Sequence, residues 1–284
     1  MTSNVDSAPQ PAGDPGTLDG LLAVTPAGIA PDTYVGAGHD YGPLRIYGGH
    51  LLGQGLAAAF ATVPGDKLAH SLHAYFLKTG APDQPIAYQV ERLRDGRMYT
   101  TRSVRAVQDG RVLMALTVSF KSPETGDEHA PVMPESPDPD AMRAAGEPLA
   151  MPFTGVAGVE LLSVTAWHPR LDEGSAPAIR LWTRAAMSAG AGPRAAQCAL
   201  AYLSDGTLMF NALRPHGRAF VTHRATSLDH AVWFHGPADP GNWLLFDQSG
   251  PVAADARGLN HGRLFSRDGR SAVSVVQESM MRRV

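Results

Sequence analysis

The stretch Tyr47–Val63, with the sequence YGGHLLGQGLAAAFATV, constrains the fold of this chain more than any other segment. Its larger apolar residues, among them Leu52, Leu56 and Phe60, recur at helical spacing. The Pro64-Gly65 pair that follows is a helix stop signal. The remaining positions are mostly glycine and alanine, and a helix that is apolar nearly all round is typically buried. We therefore predict a central helix wrapped by the following strands, the alternative being a surface helix that tolerates two glycines.

The composition limits the classes of partner. A length of 284 residues suggests about two domains, and a hydrophobic fraction of 44% supports a sizeable core. The net charge of −3 at pH 7 gives no basic surface for nucleic acid. No stretch has the roughly 18 apolar residues that a membrane span needs. The expected partner is therefore a small molecule or another copy of the chain.

The single cysteine, Cys198, excludes an intramolecular disulfide and a zinc cluster built from cysteines. Such cysteine usage fits a reducing compartment, and the first residues lack the basic start and apolar core of a secretory signal. We therefore expect a cytoplasmic protein. Because its neighbours are alanine and leucine, Cys198 is interpreted as a buried small hydrophobic residue and not as a catalytic thiol.

A helix followed by an antiparallel meander occurs twice. In the N-terminal half, Asp95-Gly96 and Asp109-Gly110 predict hairpin turns, and Arg111–Lys121 alternates between apolar and polar side chains. In the C-terminal half, Pro193–Ser204 predicts a second Ala-rich helix, and Ser227–His235 (SLDHAVWFH) predicts a strand that echoes SLHAYF of the first half. This repeat favours a duplicated fold. The alternative is a chance similarity of two β-rich halves.

The repeat and the composition divide the chain into four segments. Between Ser122 and Phe153 there are seven prolines, seven acidic residues and one arginine, a composition that disfavours both helix and sheet. We expect one helical turn there, near Asp140–Ala145, and a short helix at Leu18–Ala30 that is interrupted at Pro26. The predicted segments are a disordered lead-in at 1–16, an N-terminal unit at 17–121, a Pro-rich acidic linker at 122–155 and a C-terminal unit at 156–284.

Several common catalytic motifs are absent from the sequence. It contains no G-x-S-x-G elbow, Walker A loop, H-E-x-x-H motif or paired C-x-x-C. His230 and His235 are five residues apart on a predicted strand, so they face opposite sides and we expect no shared metal. The sequence therefore favours chemistry without a metal site.

Three polar residues of the C-terminal half remain as candidates for catalysis: Asp205, Ser227 and Gln277. Each has an ordinary structural explanation, as a turn residue, a strand-edge hydroxyl and a hydrogen-bonded amide respectively. Together they suggest more, because Asp205 follows the second helix and the other two lie on strands that should wrap it. A carboxylate, a hydroxyl and an amide can jointly hold one water, with the carboxylate as general base. A helix N-terminus in the same cleft could stabilise a developing oxyanion.

At these residues the sequence resembles a known family. The stretches that carry the resemblance are YGGHLLGQGL, HSLHAYFLKTG, VERLRDGRMYTTRSVRAVQDGRVLMALTVSF, the aspartate of AYLSD, RPHG, SLDHAVWFH, ARG and VQESMMR. They cover roughly Tyr41–Lys121 and Cys198–Arg283, and they are similar to the acyl-CoA thioesterase II (TesB-like) family of double hotdog thioesterases.

The resemblance implies an α+β double hotdog fold, in which two tandem repeats each wrap an antiparallel β-sheet around a central helix. It also implies hydrolysis of acyl-CoA to free fatty acid and CoA without a covalent intermediate. No cofactor is expected, since coenzyme A is part of the substrate. The family's catalytic Asp, Thr-or-Ser and Gln fall on Asp205, Ser227 and Gln277.

The start of the first helix supplies three candidate substrate-binding residues: Gly48, Gly49 and His50. His50 departs from the family pattern, because many members have Gln at this position. The exposed edges of hotdog sheets usually pair between subunits, so we expect a homo-oligomer.

Two other functions remain open at this point. Enoyl-CoA hydration would need an Asp/His pair near an N-P-x-H-like stretch, which the sequence lacks. A non-catalytic hotdog protein that binds acyl-CoA would need the pocket but none of the chemistry.

Overall fold

The structure is a computed structural model that describes residues 14, 16–28, 30–42, 46–146, 148–167 and 174–284. The lead-in predicted at 1–16 lies almost entirely outside these residues. The α-helices are Leu18–Leu21 (α1), Gly48–Phe60 (α2), Pro139–Ala145 (α3) and Pro193–Leu203 (α4). The strands are Val24–Pro26 (β1), Thr33–Gly36 (β2), Leu68–Phe76 (β3), Ile86–Asp95 (β4), Tyr99–Gln108 (β5), Arg111–Lys121 (β6), Glu160–Ser163 (β7), Ala178–Arg184 (β8), His223–Ser227 (β9), Asp229–Phe234 (β10), Leu244–Ala254 (β11), Arg257–Ser266 (β12) and Ser271–Arg283 (β13).

The strands of the described residues form one antiparallel sheet that runs through both halves of the chain. Its order is β1-β2-β4-β5-β6-β3-β10-β13-β12-β11-β8-β7, and β9 pairs with a further part of β13. The halves join where β3 pairs with β10, with His73 opposite Ala231. This arrangement, a large antiparallel sheet with one long helix in each half, is the expected α+β double hotdog fold.

The two long helices lie against each other, and the glycines of α2 explain how closely. A Cβ atom on Gly49 would lie 2.4 Å from the Tyr202 carbonyl oxygen of α4, and one on Gly53 would lie 3.1 Å from the Cys198 carbonyl oxygen. Eleven of the thirteen residues of α2 are buried, and the helix also contacts β4, β5 and β6. The prediction of a buried central helix is confirmed.

Two local predictions were wrong. The helix predicted at Leu18–Ala30 ends at Leu21, because Val24–Pro26 pairs with β2. Pro26 is tolerated in a strand because β1 lies at the edge of the sheet. Ser227 does not open the strand SLDHAVWFH but ends β9, and Leu228 donates its backbone N–H to Glu278 before β10 begins.

The Pro-rich segment is packed against both halves of the chain over part of its length. Its helix α3 matches the predicted helical turn and is capped by the Asp138 side chain. The Trp182 indole donates to the Pro137 carbonyl at 3.0 Å. Phe153 stacks on Tyr47 at 4.9 Å between ring centroids. None of the helices in the described ranges is long and apolar enough for a membrane crossing.

Candidate active site

Asp205 lies just beyond the C-terminus of α4 and against the N-terminus of α2. A Cβ atom on Gly48 would lie 2.7 Å from its Oδ2, so only a glycine at this position allows the carboxylate so close. The backbone N–H of Gly49 hydrogen bonds to the carboxyl group. The unfavourable position of a carboxylate after one helix is thus offset by the positive end of another.

Gln277 approaches Asp205 from the sheet. Its Nε2 donates to Asp205 Oδ1 at 2.7 Å, and the residue is fully buried. The alternation of β13 fixes this direction, because Val273 and Val275 point to the same buried face. The predicted placement of a polar amide on an apolar strand face is confirmed.

Ser227 reaches the same carboxylate from the junction between β9 and β10. It pairs with Ser279 on β13, two residues from Gln277, and its hydroxyl interacts with the Asp205 carboxyl group. The structure therefore brings the three predicted residues together, although they come from three separate elements.

Burial raises the pKa of Asp205 to about 6. The hydrogen bonds from Gln277, from the Gly49 N–H and from Ser227 oppose this rise because they stabilise the ionised form. The carboxyl group therefore gains and loses a proton close to neutral pH, which suits a general base.

A cavity of about 370 Å³ opens beside the carboxylate. Asp205, Ser227 and Gly48 contribute to its wall, together with the segment Lys78–Gly80 that follows β3. Its apolar lining includes Ile46, Leu51, Phe76, Leu77, Met209 and Leu228. A site whose wall combines these apolar side chains with polar groups such as Asp205 and Ser227 can hold an apolar chain with a reactive polar group at its end.

The three candidate substrate-binding residues differ in their positions. Gly48 lines the cavity, whereas Gly49 bonds to Asp205 through its backbone. His50 has no exposed surface, and its ring nitrogens lie 3.0 Å from the Tyr41 hydroxyl and 2.9 Å from the Ala37 carbonyl. Burial lowers the pKa of His50 to about 4, so the ring is neutral. These contacts indicate that His50 supports the loop that contains Ala37 and Tyr41. A direct contact of His50 with substrate stays a prediction.

The sequence reasoning missed one histidine of the site. His230 is fully buried, with its Nδ1 at 2.9 Å from Gln277 Nε2. The prediction that His230 and His235 face opposite sides is confirmed, since His235 is exposed. A histidine in register with the apolar residues Val232 and Phe234 was the available signal. Cys198 is buried with its pKa raised to about 12, which fits its interpretation as a small hydrophobic residue.

Comparison with known proteins finds matches to both halves of the chain. Residues 163–280 match the family model described as acyl-CoA thioesterase, and residues 38–121 match the model described as acyl-CoA thioesterase N-terminal domain. Human acyl-coenzyme A thioesterase 8 is 33% identical over 94% of this chain and 91% of its own length. This chain belongs to the acyl-CoA thioesterase family.

Other proteins similar to this thioesterase support the same family assignment. Acyl-CoA thioesterase 2 of Haemophilus influenzae is 32% identical, covering 87% of this chain and 91% of its own. The crystal structure of acyl-CoA thioesterase II TesB2 from Mycobacterium marinum superimposes with a TM-score of 0.77 at 33% identity, over 93% of this chain and 97% of that one. Family membership makes the chain a thioester hydrolase and confirms the TesB-like resemblance and the hotdog fold.

Proposed function

We propose that this thioesterase hydrolyses acyl-CoA to a free acid and CoA by direct attack of water. The observation that carries the proposal is the buried Asp205 carboxyl group at the cavity wall, hydrogen bonded by Gln277 and approached by Ser227. Asp205 accepts a proton from water as the water oxygen attacks the thioester carbonyl carbon. When the C–S bond breaks, the same proton passes to the leaving thiolate, so the carboxylate is regenerated.

An unpartnered atom supports a bound water. Gln277 Oε1 is buried and has no hydrogen-bond partner among the described residues. A buried acceptor without a partner costs about 1–3 kcal/mol, and a water held between Oε1 and the carboxylate would satisfy it. The amide and the Ser227 hydroxyl then orient the water, and Asp205 activates it.

The first turn of α2 supplies a hydrogen-bond donor for the developing oxyanion. The N–H groups that open a helix have no acceptor in the helix, and they carry the positive end of its dipole. Gly48 lines the cavity at this turn. Its backbone N–H is therefore our candidate donor to the thioester oxygen, a contribution typically worth about 10²–10³-fold in rate.

The remaining aspects of the function are proposals of the same kind. The apolar side chains of the cavity wall take the acyl chain, and coenzyme A enters as part of the substrate, so that the reaction needs no cofactor. The homo-oligomeric state and the cytoplasmic location stay predictions.

A hydrolysis screen tests this function against the alternatives. Short, medium, long and branched acyl-CoAs are incubated with the full chain while thiol release is followed with a chromogenic disulfide. We expect turnover with at least one chain-length class. Thermal stabilisation by acyl-CoA without thiol release would indicate a binding protein, and loss of an enoyl chromophore without thiol release would indicate a hydratase.

A further inference from the structure

His230 belongs to a chain of hydrogen bonds that leads away from the proposed catalytic carboxylate. Its Nδ1 lies 2.9 Å from Gln277 Nε2, and its Nε2 lies 2.8 Å from the Ser204 hydroxyl. The Ser204 hydroxyl in turn lies 2.9 Å from the Ala201 carbonyl oxygen of α4. All members of this chain are buried, so each proton in it has a defined position.

The proton positions follow from the two ends of the chain. An ionised Asp205 can only accept, so Gln277 must present its NH₂ group to Oδ1. The second N–H of that group then points to His230 Nδ1, which must be unprotonated to accept it. The ring therefore carries its proton on Nε2 and donates to Ser204. The Ser204 hydroxyl donates to Ala201, because a backbone carbonyl can only accept.

The same series of hydrogen bonds determines where the Gln277 side-chain carbonyl points. With both N–H groups used by Asp205 and His230, Oε1 is turned away from both and is left without a partner among the described residues. The opposite amide orientation would place Oε1 against the ionised Asp205, which is repulsive. His230 reinforces the productive orientation because its Nδ1 offers an acceptor only to the NH₂ side.

We infer that His230, held by Ser204, is a positioning residue that orients the Gln277 amide so that Oε1 can accept a hydrogen bond from the attacking water. The inference rests on the proposed function of Asp205 and Gln277. His230 does not line the cavity. Its Nδ1 is 3.8 Å from Asp205 Oδ1, which is too far for a hydrogen bond to the carboxylate. It acts through Gln277 alone.

Two substitutions of similar size separate this role from simple packing. His230→Asn can place an amide oxygen near the position of Nδ1 and so keeps an acceptor for Gln277, whereas His230→Leu fills the space without an acceptor. Misplacement of a catalytic group by about 1 Å can cost about 10²-fold in rate. We expect His230→Leu to lower kcat about 10²-fold with little change in KM, and His230→Asn to recover most of that loss.

Ser204→Ala tests the outer end of the chain. It removes the acceptor of the His230 Nε2–H, so the ring loses its preferred tautomer. We expect a smaller loss in kcat, about 10-fold, because one hydrogen bond is lost while the contacts of Gln277 remain. His235→Leu, on an exposed histidine just beyond the same strand, is the matched control and should leave kcat unchanged.

A spectroscopic readout is independent of activity. Long-range ¹H–¹⁵N spectra of histidine-labelled protein identify the tautomer of His230, assigned by its loss in the His230→Asn variant. At pH 8 we expect the neutral ring with its proton on Nε2. In Ser204→Ala the ring should no longer hold a single tautomer.

The outcomes separate this inference from the proposed function. Loss of turnover in Asp205→Asn together with a wild-type kcat in a folded His230→Leu would overturn the inference alone. A proton on Nδ1 of His230 at pH 8 would also overturn it, even if His230→Leu fails to fold. Full activity of Asp205→Asn would instead contradict the proposed function.

Discussion

The side-chain amide of Gln277 donates to the carboxylate of Asp205 over 2.7 Å, although 72 positions separate them in the chain. The contact joins β13, the last strand along the chain, to the end of α4, at the point where α2 begins. Burial raises the pKa of this carboxyl group, and the hydrogen bond from Gln277 opposes that rise.

Removal of the amide should make the base harder to ionise. In Gln277→Ala, Asp205 keeps its burial but loses the hydrogen bond that stabilises its ionised form most, so its pKa rises. We expect kcat to fall about 10²-fold and the acidic limb of the pH–rate profile to move to higher pH. Gln89→Ala, at an exposed position on β4, is the control. An unmoved acidic limb would contradict this account of the Asp205 pKa.

The pH dependence of the wild-type enzyme follows from the same group. Asp205 must be ionised to accept a proton, and its pKa is about 6. We therefore expect kcat/KM to rise with pH up to about 6 and to level off above it. A profile that stays flat from pH 5 to pH 8 would show that a different group limits the reaction.

The stability of the folded protein should fall as the pH rises, whereas activity should increase. The pKa of Asp205 is raised on folding from 3.8 to about 6, so its contribution to stability is fully present below pH 3.8 and is lost as the pH rises through 6. The loss is at most about 3 kcal/mol at pH 8. Asp205→Asn removes this cost, so we expect it to raise Tm at pH 8 relative to wild type, and much less at pH 4. Equal Tm differences at both pH values would rule out a buried charge as the cause.

Gly48 tests the close approach of α2 to the carboxylate. In Gly48→Ala the added methyl group would lie 2.7 Å from Asp205 Oδ2 and 3.0 Å from Phe76 Cζ. The carboxylate must shift, so we expect a loss in kcat on the order of 10²-fold with a folded protein by circular dichroism. Gly65→Ala is the matched control, because nothing lies within 4 Å of its added methyl group.

Where α2 ends and α4 begins, the two helices are linked by Arg194, for which we predict a structural role. Its guanidinium, at the start of α4, donates to the carbonyl of Phe60, the last residue of α2, and to those of Val63 and Lys67 that follow it. Hydrogen bonds to a charged group contribute about 1.5–3 kcal/mol each when buried, and less here because the contacts are partly exposed. We expect Arg194→Met to lower Tm while kcat per folded molecule stays unchanged. A fall in kcat with an unaltered Tm would assign Arg194 to the reaction.

Much of the fold could be predicted because its signals are local. The Asp-Gly turns and the alternation of Arg111–Lys121 fixed a strand whose bounds the structure reproduces. The failure at Val24–Pro26 has the same physical origin, since a three-residue edge strand forms through pairing with β2 and leaves no periodic pattern of its own.

The site was less accessible from sequence. The position of Asp205 after a helix, and of Gln277 on an apolar strand face, made both residues conspicuous. His230 was not, because a buried histidine on an apolar face is ordinary until its partners are known. Its link to Gln277 depends on the register between β10 and β13, which pairs Ala231 with Val276. Long-range register of this kind is set by tertiary packing.

The most direct test of the account is the rate of thiol release from the best acyl-CoA by Asp205→Asn, compared with wild type and with Asp268→Asn at an exposed turn. Asparagine keeps the shape and the acceptor for Gln277 but cannot take a proton. We expect a loss in kcat of about 10²–10⁴-fold in Asp205→Asn and none in Asp268→Asn. Turnover of Asp205→Asn at the wild-type rate would contradict the assignment of Asp205 as the base.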